Sequence, residues 1–201
     1  KPIYHNTAKI HSAKPIYLNR NMGRLGNAMF ELAGGITIAR ANKRPLVVDG
    51  RLDRMLRRVF PPIKNYYTIG AAPARAMVIL QQQVPFAYEE KRLISLPDGP
   101  VKLQCYLQSW YYFKNITKEI RDIFTLPPVV TEQTRAYLRK LEQGINKQNV
   151  TFVGVHVRRG DYSGQSHLPK ASYIMNAMNY FKSQYDNVHF VVCSDGLDWC
   201  K

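Results

Sequence analysis

The most informative stretch of this sequence is Phe152-Val-Gly-Val-His156-Val-Arg158-Arg159-Gly160-Asp161-Tyr162. Its apolar beginning predicts a buried strand, and the charged residues that follow predict a loop at the C-terminal end of that strand. In open α/β sheets, ligands bind in the crevice outside the carboxyl ends of the strands. Two guanidiniums there suit a phosphate or diphosphate, to which they can donate forked hydrogen bonds. A solvated Arg–Asp surface loop is the alternative interpretation.

The segments that follow this stretch complete a β-α-β unit. A helix is predicted over about residues 171–184, because Ile174, Ala177, Met178 and Phe181 recur at helical spacing. A second buried strand is predicted at residues 188–193, and Ser194-Asp195-Gly196 is predicted to turn into a further helix. One such unit is smaller than a finished domain, so we expect the second α/β half to be incomplete in this chain.

An earlier β-α-β unit is predicted near the N-terminus. A strand at residues 16–19 is followed by a glycine-rich turn at residues 21–27, a helix at about 28–42 and a strand at 45–49. The turn would place backbone N–H groups and the positive helix end where an anion can bind. Its spacing matches neither the dinucleotide nor the Walker motif, so a structural turn and a ligand loop both remain open. Gly34-Gly35 either weakens the helix or permits close packing.

The middle of the chain gives weaker signals. Residues 51–98 suggest loops with small helices, and residues 101–107 alternate like a strand. The aromatic residues of segment 108–113 are expected to serve mainly in core packing. Apolar spacing predicts a helix over about residues 116–124, and Thr131 is a candidate cap for the next helix.

The composition indicates a globular protein with an acidic partner. The chain has 201 residues, 45% of them hydrophobic, and a formal net charge of +15. Its densest basic cluster is Arg54-Met-Leu-Arg57-Arg58. A nucleotide, a nucleic acid or an anionic surface would suit this charge, but no nucleic-acid-binding motif accompanies it. No apolar run is long enough to cross a membrane. Since the chain begins at Lys1, we expect the natural N-terminus to lie outside it.

The cysteines and the asparagine sequons give limited information about the compartment. Cys105, Cys193 and Cys200 form no Cys-x-x-Cys pair, so the zinc and thioredoxin interpretations fail. Their odd number leaves at least one thiol outside any intrachain disulfide, and the pairing stays open. Asn115 and Asn149 begin glycosylation sequons and are candidate glycosylation sites.

Four segments carry a family resemblance. They are Gly23-Arg-Leu-Gly-Asn27-Ala-Met-Phe30, Gln104-Cys-Tyr-Leu-Gln-Ser-Trp-Tyr-Tyr-Phe113, Val153-Gly-Val-His-Val-Arg-Arg-Gly-Asp-Tyr162 and Phe190-Val-Val-Cys-Ser-Asp-Gly-Leu-Asp-Trp-Cys200. Together they resemble the α1,2-fucosyltransferases, family 11 of the glycosyltransferases. The third segment is similar to the hallmark His-x-Arg-Arg-Gly-Asp of that family. Ala28 stands where the family usually has glutamine, and Cys105 replaces a glycine.

The resemblance implies an α/β fold with two Rossmann-like units of a GT-B-type glycosyltransferase, the second incomplete. Residues 1–148 would form an N-terminal α/β domain on the acceptor side. Residues 149–201 would begin the C-terminal domain that binds the nucleotide sugar.

The resemblance also implies a reaction. L-Fucose would pass from GDP-fucose to the 2-hydroxyl of a galactose-terminated glycan acceptor, with inversion. No Asp-x-Asp motif occurs, so no metal or cofactor is expected. The family context implies a Golgi-lumenal type II membrane protein, anchored by an N-terminal segment outside this chain, with no nucleic-acid partner.

Three other functions remain as alternatives. The first is an inactive paralogue or fragment that binds sugar nucleotides. The second is an adhesion ligand that uses Arg159-Gly160-Asp161, and the third is a charge-driven nucleic-acid binder.

The resemblance assigns roles to individual residues. Arg158 would hold the β-phosphate and stabilise the leaving diphosphate. Arg159 would anchor the loop or the nucleotide. His156 would donate to phosphate or sugar, or else pack at the strand end. Asp161 would act as a general base, or else hold an arginine or the loop. Further substrate-binding candidates, expected to reach the donor across the interdomain cleft, are Gly23, Arg24, Leu25, Gly26 and Asn27.

Overall fold

The structure is a computed structural model that describes residues 14–21, 23–73, 77–84, 87–89, 93, 95–145, 149–162 and 168–201. Two compact units divide the chain, Lys1–Thr131 and Glu132–Lys201. The prediction that the functional domains divide after residue 148 stays a prediction. Met22 of the predicted glycine turn lies outside the described residues.

The first unit is built on a five-stranded parallel sheet with the strand order β3-β2-β1-β5-β4. The strands are β1 (Ile16–Leu18), β2 (Leu46–Val48), β3 (Thr68–Ile69), β4 (Val78–Gln81) and β5 (Val101–Gln104). The central strand is β1, where Ile16 and Leu18 are fully buried. The chain winds outward from β1 to β3 on one side, and β5 lies directly against the other side. The strand order therefore reverses between β1 and β5, the kind of position where α/β sheets bind ligands.

Among the described residues, three α-helices and two 3₁₀ segments belong to this unit. They are α1 (Leu25–Ala41), α2 (Gly50–Arg57), α3 (Thr117–Ile123) and the 3₁₀ segments Pro61–Asn65 and Trp110–Ile116. Two glycines bring α1 close to its neighbours. A Cβ on Gly34 would lie 2.8 Å from the Leu107 side chain, and one on Gly35 would lie 2.8 Å from Leu18. The structure thus shows close packing at the glycine pair.

The second unit contains the later β-α-β element. Strands β6 (Thr151–Val157) and β7 (Val188–Ser194) are parallel and pair in register along their length. Helix α5 (Ala171–Gln184) connects them, and a 3₁₀ segment (Leu197–Cys200) follows β7. These bounds confirm the predicted strand, helix and strand. Helix α4 (Pro128–Gly144) contains the sequence position at which the two compact units divide.

Two predicted helix starts were wrong. Helix α1 begins at Leu25 instead of residue 28, because the Arg24 carbonyl already accepts a hydrogen bond from the Ala28 N–H at 3.2 Å. Helix α4 begins at Pro128, so Thr131 lies inside it and does not cap it. Proline is favoured in the first helical turn, where its fixed φ fits and its missing N–H leaves no bond unmade.

Other differences lie in the middle of the chain. The segment predicted as loops with small helices also contributes the parallel strands β3 and β4. Strand β5 ends at Gln104 instead of residue 107, and Leu107 has a left-handed φ of 52° that an extended strand does not allow. In the aromatic segment Tyr112 is buried, whereas Trp110 is 55% exposed and Tyr111 is 46% exposed. The prediction that core packing uses most of these rings was therefore wrong for these two.

Candidate functional site

The carboxyl ends of β6 and β7 bring two charged loops together. The carboxylate of Asp195, directly after β7, accepts a hydrogen bond from the backbone N–H of Arg159 at 2.6 Å. Backbone N–H groups of Arg159 and Gly160 are the main reason that the pKa of Asp195 lies below its usual value. A Cβ on Gly160 would come within 2.8 Å of this carboxylate. Asp195, which the sequence analysis did not single out, therefore ties the arginine loop to the neighbouring strand.

The guanidinium of Arg158 is held in one orientation. Its Nε and Nη2 donate to the two oxygens of Asp161 at 2.9 and 2.6 Å. This forked hydrogen bond is the largest of the effects that raise the pKa of Arg158. The ring of Tyr162 lies 4.2 Å from the guanidinium carbon. A guanidinium has five N–H donors, so the edge formed by Nη1 and the other N–H of Nη2 can still donate to an oxyanion.

The second arginine has an aromatic support of its own. The guanidinium carbon of Arg159 lies 4.0 Å from the centre of the Trp199 ring. A Cβ on Gly196 would come within 3.2 Å of the Arg159 Cβ, so the loop after β7 approaches this arginine closely. Stacking of this kind keeps the planar donors of a guanidinium in place without using its hydrogen bonds. The signal in the sequence was the tryptophan that follows Ser194-Asp195-Gly196.

The remaining candidates in this loop differ in exposure. His156 is exposed near the end of β6 and pairs in register with Cys193. Asp161 is 41% exposed at its side chain, yet both of its oxygens bind Arg158. The Arg159-Gly160-Asp161 triplet therefore presents no unengaged aspartate to an adhesion receptor. The catalytic roles of His156 and Asp161 stay predictions.

The glycine turn of the first unit is held by hydrogen bonds from Arg20 and Gln108. Gly23 has a φ of 121°, and a Cβ there would overlap the Asn27 amide. The Asn27 Oδ1 accepts from Gln108 Nε2 at 2.9 Å, and Arg20 Nη2 donates to the Gly23 carbonyl at 2.8 Å. Only glycine fits this position. These contacts fix the conformation of the turn at the N-terminus of α1.

Within that turn, Arg24 is the N-cap residue of α1, and Leu25 and Gly26 are its first two residues. These positions leave backbone N–H groups without intrahelical partners, as at any helix start. The five substrate-binding candidates 23–27 lie in the first unit, and the candidates 156–161 lie in the second. That the turn reaches the donor stays a prediction.

A cavity of about 690 Å³ opens where the strand order reverses between β1 and β5. Residues that follow β1 line one side, among them Arg20 and Asn21, and residues at the end of β5 line the other, among them Gln104 and Tyr106. The Asn21 Nδ2 donates to the Cys105 carbonyl at 2.9 Å, which joins the two strand ends. We call this space the switch-point cavity.

A buried carboxylic acid lies behind the switch-point cavity. Glu31 of α1 is 1% exposed, and its Oε1 is buried without a hydrogen-bond partner among the described residues. Its Oε2 accepts from the backbone N–H of Asn21 at 3.4 Å. Burial raises the pKa of Glu31 to about 7, against the opposing effects of Asn21 and Arg20. Glu31 was not among the residues predicted from the sequence, although a lone glutamate among the apolar residues of a predicted helix was a signal.

Glu31 should make the stability of the first unit depend on pH. Because its pKa is higher in the folded than in the unfolded state, the folded chain binds a proton that the unfolded chain releases above about pH 4.5. Stability should therefore fall as the pH rises from about 5 to 8. We expect Glu31→Gln to remove this dependence. Relative to the parent, the free energy of unfolding of the variant should therefore rise by about 2–3 kcal/mol between about pH 5 and pH 8. Urea unfolding at each pH measures it, with the exposed Glu142→Gln as control. Equal pH dependence in all three chains would contradict a raised pKa.

The described residues give no positive evidence for a metal or a membrane span. They contain no group of three or more His, Cys, Asp or Glu side chains placed to hold a metal ion. None of the described helices is both long enough and apolar enough to cross a bilayer. Asn115 and Asn149 of the two sequons are exposed. Metal independence, localisation and glycosylation therefore stay predictions.

Relatives with known functions match most or all of this chain. The chain is 30% identical over 214 residues to galactoside alpha-(1,2)-fucosyltransferase 2 of Pongo pygmaeus, which covers 100% of the chain and 60% of that relative. It is 32% identical over 197 residues to the enzyme of the same name in Mus musculus, covering 92% of the chain and 54% of the relative. Galactoside alpha-(1,2)-fucosyltransferase 1 of Aotus azarae is 30% identical over 210 residues, with 100% and 55% covered. The chain thus spans a little over half the length of these relatives.

A solved structure and a family profile agree with the sequence resemblance. The fold is similar to that of the fucosyltransferase NodZ from Bradyrhizobium, with a TM-score of 0.53 and 15% identity over 90% of this chain and 72% of NodZ. That similarity supports the α/β, GT-B-like fold. The profile described as Glycosyl transferase family 11 matches residues 3–201. This chain therefore belongs to glycosyl transferase family 11.

Proposed function

We propose that the protein containing this chain is a galactoside α1,2-fucosyltransferase. It transfers L-fucose from GDP-fucose to the 2-hydroxyl of a galactose-terminated glycan, with inversion at the fucose carbon and without a metal. Family membership and the names of the relatives support the reaction class. The observation that carries the site is the pair of supported guanidiniums at the carboxyl edge of β6.

In the proposed reaction, the anomeric carbon of fucose loses its bond to GDP and gains a bond to the acceptor. The acceptor oxygen forms a bond to that carbon, and the bond from the carbon to the β-phosphate oxygen of GDP breaks with its electron pair. The acceptor proton passes to a base. Negative charge grows on the leaving diphosphate, so a cation fixed beside it stabilises the transition state more than the ground state. The open edge of Arg158 is our choice for that cation.

The neighbours of Arg158 would then act by positioning it. Asp161 holds one guanidinium edge with two hydrogen bonds, and Asp195 holds the backbone of the next residue. Asp161 binds the guanidinium of Arg158 through both of its oxygens, an arrangement suited to holding that side chain in place. We therefore propose that Asp161 orients Arg158. His156, exposed near the end of β6, is proposed to donate to a phosphate or sugar oxygen.

Turnover of GDP-fucose tests the function. We expect the full-length protein to fucosylate a galactose-terminated acceptor at the 2-hydroxyl and not the corresponding 2-deoxygalactoside. NMR of the product assigns the linkage and the anomeric configuration. GDP binding without any transfer would favour the inactive paralogue and would contradict the proposal.

GDP binding tests the metal independence of the donor site. If arginines alone balance the diphosphate charge, calorimetry should give the same GDP affinity, within about twofold, with EDTA as with added Mg²⁺ or Mn²⁺. Uridine diphosphate serves as the control for base specificity. Loss of GDP binding on chelation would show that a divalent ion belongs to the site.

We also propose that the protein acts in the Golgi lumen as a type II membrane protein. The exposed sequon asparagines, Asn115 and Asn149, support glycosylation in the secretory pathway, and the family resemblance supports an N-terminal anchor. Endoglycosidase sensitivity of the expressed protein and its microscopy with a Golgi marker test this localisation. A protein that carries no glycan and does not overlap the marker would contradict it.

A further inference from the structure

Helix α2 carries a stripe of arginines along one face. Arg51 and Arg54 are three residues apart, and Arg58, the C-cap residue, lies four residues further on. This spacing places the three side chains on one side of the helix. The opposite side is buried through Leu52 and Leu56. Like charges at this spacing destabilise a helix, so the stripe is unfavourable unless an anion binds it.

The stripe borders a second cavity, of about 850 Å³, which we call the arginine cavity. Arg20, after β1, contributes a further basic side chain from a different element. The apolar side chains of Met55 and Val59 also line the cavity. A concave site with several guanidiniums and an apolar lining suits a ligand that combines sugar rings with anionic groups.

One neighbouring arginine is already neutralised. Arg57 donates to the buried carboxylate of Asp53 at 2.6 Å, and Tyr67 donates to the same carboxylate at 3.0 Å. By contrast, the side chains of Arg51, Arg54 and Arg58 have no hydrogen-bonding or ionic partner within the part of the chain that the structure describes. The cavity therefore offers cationic donors that the fold does not use.

The arginine cavity adjoins the switch-point cavity, because Arg20 and Arg51 line both. In the switch-point cavity, Gln81 and Gln104 are partners in the register of β4 and β5, and both are exposed. Amide side chains of this kind can donate to and accept from sugar hydroxyls. One continuous surface thus has amides at one end and guanidiniums at the other.

We propose that this surface binds an acidic oligosaccharide acceptor, with neutral sugar hydroxyls at the amides and a sulfate or carboxylate group at Arg54 and Arg58. The inference rests on the proposed function, because it names the class of acceptor that the enzyme takes. Guanidiniums bind such oxyanions with paired hydrogen bonds. The concave shape and the amides favour a glycan over a nucleic acid, whose backbone needs an extended basic track.

The experiment compares two acceptors that differ by one anionic group, N-acetyllactosamine and its form with a 6-O-sulfate on the N-acetylglucosamine. Binding to the full-length protein is measured by calorimetry, and transfer from GDP-fucose is measured separately. We expect the sulfated acceptor to bind at least about tenfold more tightly, with a preference that declines as salt rises. Arg54→Gln/Arg58→Gln should reduce this preference to about twofold or less.

Matched variants distinguish the loss of this binding site from a general loss of positive charge on the protein. Arg139→Gln/Lys140→Gln removes the same charge from exposed positions of α4 and should keep the full preference. Arg54→Lys/Arg58→Lys keeps the charge but not the fork, and should keep part of the preference. Circular dichroism and melting temperature establish that each variant is folded.

The possible results distinguish failure of the acidic-acceptor inference from failure of the proposed function on which it rests. Transfer to the neutral acceptor with no preference for the sulfated one overturns the acidic-acceptor inference alone. A sulfate preference without any transfer overturns the proposed function and keeps the binding site. If the double glutamine variant instead loses GDP affinity and retains the sulfate preference, the arginine cavity serves the donor, and the inference is wrong.

Discussion

Arg158→Ala should lower turnover of the full-length enzyme by about a hundred- to a thousandfold, the range found when a preorganised donor to developing charge is removed. The guanidinium is oriented by Asp161 and Tyr162, so its open edge can meet the diphosphate without rearrangement. Because the charge grows as the fucosyl bond breaks, the loss should appear in kcat as well as in the affinity for GDP-fucose. Steady-state kinetics over a range of donor concentrations separates these two effects.

Arg158→Lys should not restore the activity, since an ammonium group can neither form the fork with Asp161 nor donate two parallel bonds to phosphate. Arg139→Ala, at an exposed position of α4, is the matched control and should keep the parent turnover. Near-parent turnover in a folded Arg158→Ala variant would show that this arginine is structural.

Gly34→Val should destabilise the first unit strongly. Its Cβ would lie 2.8 Å from both the Cβ and the Cδ1 of Leu107. Leu107 has little room to move, because it is fully buried, has a φ of 52° and donates its N–H to Gln82. Overpacking of a tight core costs about 1–3 kcal/mol, and the better helix propensity of valine than of glycine offsets only a small part of this cost. Urea unfolding should therefore give a loss of about 1–3 kcal/mol.

The control is Gly144→Ala, because a Cβ at this last residue of α4 would meet no atom within 4 Å. Its free energy of unfolding should stay within about 1 kcal/mol of the parent. A stable, normally folded Gly34→Val chain would show that α1 can move away from Leu107.

Local patterns predicted the two β-α-β elements well. The helix at residues 171–184 and the strands that flank it agree with the structure, because each has a clear apolar period and a clear boundary. The strands β3 and β4 were missed. Strand β3 has only two residues, and the apolar run in β4, Val78-Ile-Leu80, is short and largely exposed, so neither is distinctive in the sequence.

Some of the functional residues could be predicted from the sequence and others could not. Arg158 and Arg159 stand out because a charged pair follows an apolar strand. Asp195 and Trp199 did not stand out as their partners, since they lie some 36–40 positions further along the chain and meet the loop only when β6 and β7 pair. Glu31 was missed because the environment of a carboxylate, and with it the raised pKa, is a property of the packed core.

The α/β class, the family resemblance and the position of the arginine loop were predictable from local patterns, because short-range periodicity and local motifs carry that information. The strand order that opens a cavity between β1 and β5 emerged from the folded structure. So did the contact of Asp161 with one edge of Arg158 and the position of Arg20 beside the arginines of α2. These arrangements depend on contacts between residues that are distant in sequence or on side-chain orientation, and neither is encoded in a local pattern.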